Sequence, residues 1–273
     1  MKDITSLAAA EFAARGVTRW GICDFRPLAD KLLPCRAARR LPADPRSVIL
    51  ALFPYRHPDD IPRNLSRYAS VADYHRAAAP VTEGVAAALA AAAPGRRFAV
   101  FCDDSPIPEV YAAALAGLGA LGDNGLLLDP VYGSYVFITE IVTDLPLPPT
   151  GGEIRRCDHC GACAAACPGG CIGAGRTNCL SALTQKKGEL TPEQQEMIRQ
   201  GGLCWGCDRC QEVCPVNRGA KVDPHPCFRE YRPWLAKADL TDPELKNKPY
   251  GWRGPGPLRR NWELLYGEEK EDG

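Results

Sequence analysis

Four stretches of the chain are short, rich in β-branched and aromatic residues, and bounded by Pro, Asp or Arg. They are "RWGICDF" from Arg19, "SVILALFPY" from Ser47, "RRFAVFCDD" from Arg96 and "SYVFITEIVTD" from Ser134. Each is predicted to be a strand. The Ala-rich segments "RAAAPVTEGVAAALAAAAP" and "PEVYAAALAGLGALG" between them have the length and propensity of helices. The opening "MKDITSLAAAEFAARG" reads as an amphipathic first helix, because charges run through its apolar stretch and the layout of a signal peptide is missing. Alternating strand and helix over residues 1–150 predicts a layered domain of the α/β or α+β class. The Pro/Gly-rich "DLPLPPTGGE" marks its end. A cysteine-dense unit is expected over 151–220. After it, 221–273 form a Pro-rich tail that wraps over the rest and finishes in a short helix and a charged, frayed end.

Two details refine this picture. Gly117, Gly119 and Gly122 match Gly-x-Gly-x-x-Gly, which cradles a pyrophosphate only where it follows a strand and opens a helix. Here it follows the helical "EVYAAALA", so it is predicted to end a helix and turn the chain. In "FCDDSPIPE", Asp104 or Ser105 can cap a helix, Pro106 suits a first helical position, and Glu109 suits the positive end of the dipole. Asp103 has no such explanation. It stands at the carboxyl end of a predicted strand, where ligands of open α/β sheets gather. That makes it a candidate functional residue, the alternative being a solvated loop aspartate.

Composition changes the picture through one residue type. With 33 basic and 33 acidic residues in 273, net charge announces neither nucleic acid nor membrane. No apolar run approaches the ~18–20 residues that span a bilayer, and a cytoplasmic protein is expected. Fourteen cysteines in such a setting need a reason other than disulfides. Cys23, Cys35, Cys102 and Cys227 are scattered, and the other ten lie between Cys157 and Cys214. "CDHCGACAAACPGG" and "CWGCDRCQEVCPVN" both fit Cys-x2-Cys-x2-Cys-x3-Cys-Pro, the ferredoxin pattern for a cubane cluster, in which the fourth Cys serves the other cluster. Zinc sites pair two Cys-x2-Cys units instead. Taken as a repeat, the pattern assigns Cys157, Cys160, Cys163 and Cys214 to one [4Fe-4S] cluster. The other takes Cys204, Cys207, Cys210 and Cys167, with Cys171 and Cys179 spare.

"DDSPIPEVYAAALAGLGALGDNGLLLDPVYGSYVFITEIVTD", the two cysteine runs and "CLSALTQKKGELT" together resemble the epoxyqueuosine reductase family, from the first predicted strand to the tail. The resemblance implies an N-terminal cobalamin-binding domain of nitroreductase-like fold followed by a two-cluster ferredoxin-like domain. Epoxyqueuosine in tRNA would be the substrate, and an unidentified low-potential donor would supply electrons. It places a catalytic aspartate at Asp103, expected to be protonated by its pocket, and cofactor contacts at Tyr74, His75, Ser181 and Asp208. It also rewires the clusters: Cys157, Cys160, Cys163 and Cys214 hold one, and Cys167, Cys179, Cys207 and Cys210 the other. Cys204 then becomes a spare, and Cys171 is most simply a small buried hydrophobe. Relatives carry a further C-terminal helical-repeat domain that this sequence stops short of, and Asp123 stands where they commonly have Lys. The Asp-x-His-x-x-Gly segment that supplies a lower cobalt ligand in many corrinoid enzymes is missing. "DPHPCF" comes nearest, with Phe228 in place of glycine, so a corrinoid would be held without that His. Two other readings share these residues: a corrinoid-dependent reductase of another substrate, as in reductive dehalogenases, and a two-cluster electron carrier.

Overall fold

The computed structural model describes residues 3–267 apart from 59, 60 and 176. The charged end expected after the last helix lies outside the described residues. All four predicted strands form: β1 (Arg19–Asp24), β2 (Ser47–Pro54), β3 (Phe98–Phe101) and β6 (Val136–Thr143). They make one sheet in the order β1-β2-β6-β3. Every pairing is antiparallel. The eight residues of β2 are all buried, which is why its sequence is continuously apolar rather than alternating: both sheet faces are covered.

One face carries Val48, Leu50, Leu52 and Ile138, packed against Ala112–Leu115 of α4 (Glu109–Leu115) and Ala116 just after it. The other carries Ile49, Ala51, Phe53 and Ile141. It packs against Phe12 of α1 (Ile4–Ala14) and Val85 and Leu89 of α3 (Ala79–Ala92). The single Ala-rich helix expected from Arg76 is split, since the short α2 (Tyr74–Ala77) ends before Pro80 and α3 begins.

The glycine motif turns the chain, as its position predicts. Gly117, at φ +79°, follows the end of α4, and a Cβ on Gly119 would lie 2.5 Å from the Leu128 carbonyl oxygen. That close approach lets the hairpin of β4 (Ala120–Leu121) and β5 (Leu127–Leu128) fold back.

In the cysteine-dense segment, α5 (Ala162–Ala165) packs against α8 (Arg209–Glu212). Each carries the third cysteine of one run. Between them lie α6 (Leu180–Gln185) and α7 (Pro192–Gly201), the latter opened by a Thr191–Gln194 capping box and closed by Gly202 at φ +69°. α9 (Pro215–Arg218) follows Cys214. Backbone hydrogen bonds tie the segment to the sheet domain: Ser66 N–H to Trp205 C=O at 2.9 Å, Cys204 N–H to Asn64 C=O at 2.6 Å, and Cys157 N–H to Leu121 C=O at 3.0 Å.

The tail then runs back across both parts. His225 N–H donates to Pro54 C=O at 2.8 Å and Arg232 N–H to Ser70 C=O at 2.7 Å. Phe228 enters the α1–α3 side of the core, and Leu258 of α10 (Pro255–Tyr266) packs with Cys204 and Trp205. No helix among the described residues is long and apolar enough to cross a membrane.

Candidate active site

A cleft opens between α2, the loop after β3, the start of α4 and the leading end of β6. Tyr68, Tyr74, Asp103, Glu109, Ser134 and Ile138 are among the residues that line it. Asp103 has a φ of +61°, a left-handed conformation that Asp tolerates better than most side chains. Arg40 braces this loop by donating to the carbonyls of Val100 at 3.2 Å and Asp104 at 3.0 Å, with its guanidinium over the Phe101 ring.

Tyr74 and His75, expected as cofactor contacts, converge on Asp103. The Tyr74 hydroxyl donates to Oδ2 at 2.8 Å, and His75 Nε2 lies 3.5 Å from the same oxygen. The other ring nitrogen of His75 is 2.9 Å from Asp73 Oδ1, and Asp73 also caps α2. Contact with two carboxylates pushes His75 up to about 9. The His75 contact, aided by the Tyr74 hydroxyl, holds the Asp103 carboxyl below its usual range despite partial burial. This corrects the expectation of a protonated Asp103: its side chain is 61% exposed, and charge pairing outweighs desolvation.

The capping residues also shift. α4 begins at Glu109, not at Pro106. Ser105 instead turns the loop, accepting from Ile107 N–H at 3.0 Å and donating to the buried Glu140. Glu109, assigned above only to the helix dipole, lines the cleft beside Asp103. Burial, with Asp103 adding, pushes it up to about 7. Its spacing offered a signal, because Ala112, Ala113 and Ala116 follow it at three, four and seven positions and are all buried. A charge on that stripe faces inward.

The cysteines fall into two neighbouring groups. Cys157, Cys160, Cys163 and Cys214 line one pocket. The Cys210 thiol is pushed up to about 12 by burial and by the nearby sulfurs of Cys207, Cys167, Cys163 and Cys179. Cys204 stands apart: it is fully buried among Leu65, Trp205, Tyr250 and Leu258, and burial alone raises its thiol. Cys171 is not the buried hydrophobe expected, since it is only partly buried and its N–H donates to Cys167 Sγ at 3.3 Å.

Residues 156–217 match the family of the 4Fe-4S double cluster binding domain. Epoxyqueuosine reductase from Lactococcus garvieae is 35% identical over 208 residues, covering 69% of this chain and 57% of that protein. The Listeria monocytogenes enzyme is 34% identical over 191 residues, covering 65% and 50%. The chain thus spans about half the length of the curated relatives it matches. Its fold is similar, at a TM-score of 0.80 and 25% identity, to a crystal structure of epoxyqueuosine reductase with an epoxyqueuosine-modified tRNA-Tyr stem loop. That match covers 96% of this chain and 81% of the other. Curated relatives at 33–35% identity to this chain are epoxyqueuosine reductases. The fold of this chain is a mixed α/β one with a 4Fe-4S double-cluster segment.

The remaining expected residues divide. Ser181, on α6, accepts from Gln185 at 3.3 Å, and Gln185 also reaches the hydroxyl of Tyr68 on the cleft wall. Asp208 is 1% exposed and pairs with Arg63 at 2.6 Å while accepting the Arg67 N–H at 2.9 Å. It is a buried tie between the cysteine segment and the sheet domain. Asp123 accompanies Cys157 and Cys160 in their pocket, 2.8 Å from His159 Nδ1, and does not line the Asp103 cleft.

The cleft has a mixed lining. Val110, Leu126, Leu127, Val136 and Phe137 offer apolar walls, and Asp103 and Ser134 add polar groups. His225 has both ring nitrogens engaged, Nε2 with the Arg15 carbonyl at 2.9 Å and Nδ1 with Cys227 Sγ at 3.0 Å. It has no free nitrogen to offer a cobalt ion.

Proposed function

We propose that this chain is a cobalamin- and iron–sulfur-dependent reductase that converts epoxyqueuosine in tRNA to queuosine. Its parts would be a nitroreductase-like cobalamin-binding domain over 1–150, a ferredoxin-like domain over 151–220 and the wrapping tail over 221–273. One cluster is held by Cys157, Cys160, Cys163 and Cys214 and the other by Cys167, Cys179, Cys207 and Cys210, a ligand type and number suited to [4Fe-4S]. A low-potential one-electron carrier is the donor.

The observation that carries this reading is the hydrogen-bonded wall between cleft and cysteines. Ser134, in the cleft, donates to Gln211 Oε1 at 2.9 Å, and Gln211 adjoins Cys210. Tyr68, also in the cleft, accepts from Trp205 Nε1 at 2.9 Å, two residues before Cys207. A plain electron carrier has no use for a proton-handling cluster so close to its cysteines.

Reducing an epoxide to an alkene breaks both of its C–O bonds, forms a C=C bond and releases the oxygen as water. Two electrons and two protons are consumed. A cobalt corrinoid bound in the cleft supplies a metal centre that stores electrons one at a time. Val110, Leu127, Val136 and Phe137 would hold its ring and exclude water. Asp103 presents the carboxylate at the mouth, and His75 Nε2–H is the proton beside it. With Tyr74 fixing the same oxygen, that proton can pass through Asp103 toward the departing oxygen. The test is anaerobic purification with cobalamin supplied, then conversion of an epoxyqueuosine-containing tRNA and of its anticodon stem loop. Protein that elutes without cobalt, or that holds both cofactors and leaves the epoxide intact, defeats the proposal.

A further inference from the structure

The reaction proposed above consumes two protons, and the Asp103–His75 pair carries one. We propose that Glu109 is the second proton carrier of this cleft, giving its carboxyl proton to the departing oxygen or to the Asp103 carboxylate once that has delivered the first. The inference rests on the epoxide-reducing reading.

Its geometry comes from three elements. Glu109 opens α4 and lines the cleft together with Tyr74 and Asp103. Behind it on β6, Val136, Ile138 and Glu140 alternate onto one sheet face, and the first two line the same cleft. Glu140 is 1% exposed. One of its oxygens accepts the Ser105 hydroxyl, and the other is buried with no hydrogen-bond partner among the described residues. Glu140, with no cation hydrogen-bonded to it among the described residues, is stable there only as a neutral acid, and the half-buried Glu109 is pushed toward the same state.

The charges facing Glu109 point the same way. Burial and Asp103 raise it to about 7, while His75 opposes. Glu109 and Asp103 in turn raise Glu140, already lifted well above its ordinary value by burial. Cys102, buried at the end of β3, is pushed up by burial and by Glu109, so it stays a thiol and adds no charge. Tyr74 and Tyr68 are both raised and stay hydroxyls. Below about pH 7 the cleft therefore stores a proton on His75 and another on Glu109, matching the stoichiometry of the reaction. Glu140 keeps a third, walled off from the opening.

Infrared titration of the full chain reads this without substrate. Over a constant band from Glu140, a neutral-carboxyl C=O component should disappear between about pH 6 and 8 in wild type. It should be absent in Glu109→Gln, return with a moved midpoint in Glu109→Asp, and persist in Asp103→Asn at a lower midpoint because one neighbouring charge is gone. In single turnovers on the epoxide-bearing tRNA, Glu109→Gln should slow the rate about 10- to 100-fold and abolish its fall near pH 7. Glu109→Asp should regain part of both. A component that still titrates over that pH range in Glu109→Gln, or a Glu109→Gln rate equal to wild type, overturns the proposal while leaving the reductase reading intact. A band that behaves as expected in protein that never reduces the epoxide overturns the reductase reading and, with it, the proton's destination.

Discussion

Asp103 keeps its charge because His75 faces it, and His75 its proton because Asp103 and Asp73 flank it, and the signs follow from that pairing. The raised His75 value means that the pair's contribution is complete below the ordinary histidine value of 6.5. It is lost as pH rises through about 9. The lowered Asp103 value means that the carboxylate side is lost only below its ordinary 3.8. Asp103→Asn removes the carboxylate through which the proton passes, so single-turnover rates should fall ~10²–10⁴-fold with iron content and corrinoid uptake unchanged. Asp104→Asn should do little. Asp104 is exposed and engages Arg40 through its backbone carbonyl, which Asn keeps. With the Glu109 limb removed by Gln, the rate should fall only near pH 9, and Asn at position 103 should erase that limb too. A larger loss at 104 than at 103 would overturn the assignment. The place of Asp103 after a strand was legible in the sequence. Its ionisation was not, because the partner that sets it comes from α2, far away in sequence.

At the scale of elements, continuous β-branched and aromatic runs identified all four strands of the sheet, and Ala content identified the helices between them. What those runs lacked was direction. An all-antiparallel sheet covered on both faces reads, strand by strand, like a parallel one. The rule placing ligands at one sheet edge thus reached Asp103 for a reason that does not apply here. The true cause is local, since α2 and α4 bracket the loop after β3.

The cysteine runs show a second limit, because spacing alone completes a ferredoxin pattern with Cys204. Its backbone is pinned by Asn64 and Asn261, with Asn261 Nδ2 donating to its carbonyl at 2.7 Å, and its sulfur faces an apolar cluster. Cys204→Ser should leave iron content unchanged and cost about 1–3 kcal/mol of stability for burying a hydroxyl. Cys179→Ser should lose the iron of one cluster. Iron analysis and the low-temperature spectrum of the reduced protein separate these outcomes, and the reverse pattern would restore the repeat wiring. Asp208→Asn leaves Arg63 to Glu212 and weakens the acceptor of the Arg67 N–H, and should cost about 1–3 kcal/mol by thermal unfolding.

Across the whole molecule, the tail decides which groups are available to a cofactor. It leaves the cysteine segment at α9, crosses the end of β2 through His225, buries Phe228 against Phe137 at 5.1 Å between ring centroids, and ends on α6 and α7. "DPHPCF" therefore serves packing: its histidine bridges the end of α1 to the tail, and its phenylalanine fills the space a glycine would leave open. A corrinoid taken up by the Asp103 cleft should accordingly show, in its divalent cobalt state, a spin-resonance pattern without nitrogen splitting from a lower ligand. His225→Ala should leave that pattern unchanged and lower the melting temperature, because it removes the bond to the Arg15 carbonyl and the edge contact with Phe53. Nitrogen splitting that is present in wild type and lost in His225→Ala would mean that the tail moves to ligate cobalt, and would overturn the structural role given to it here.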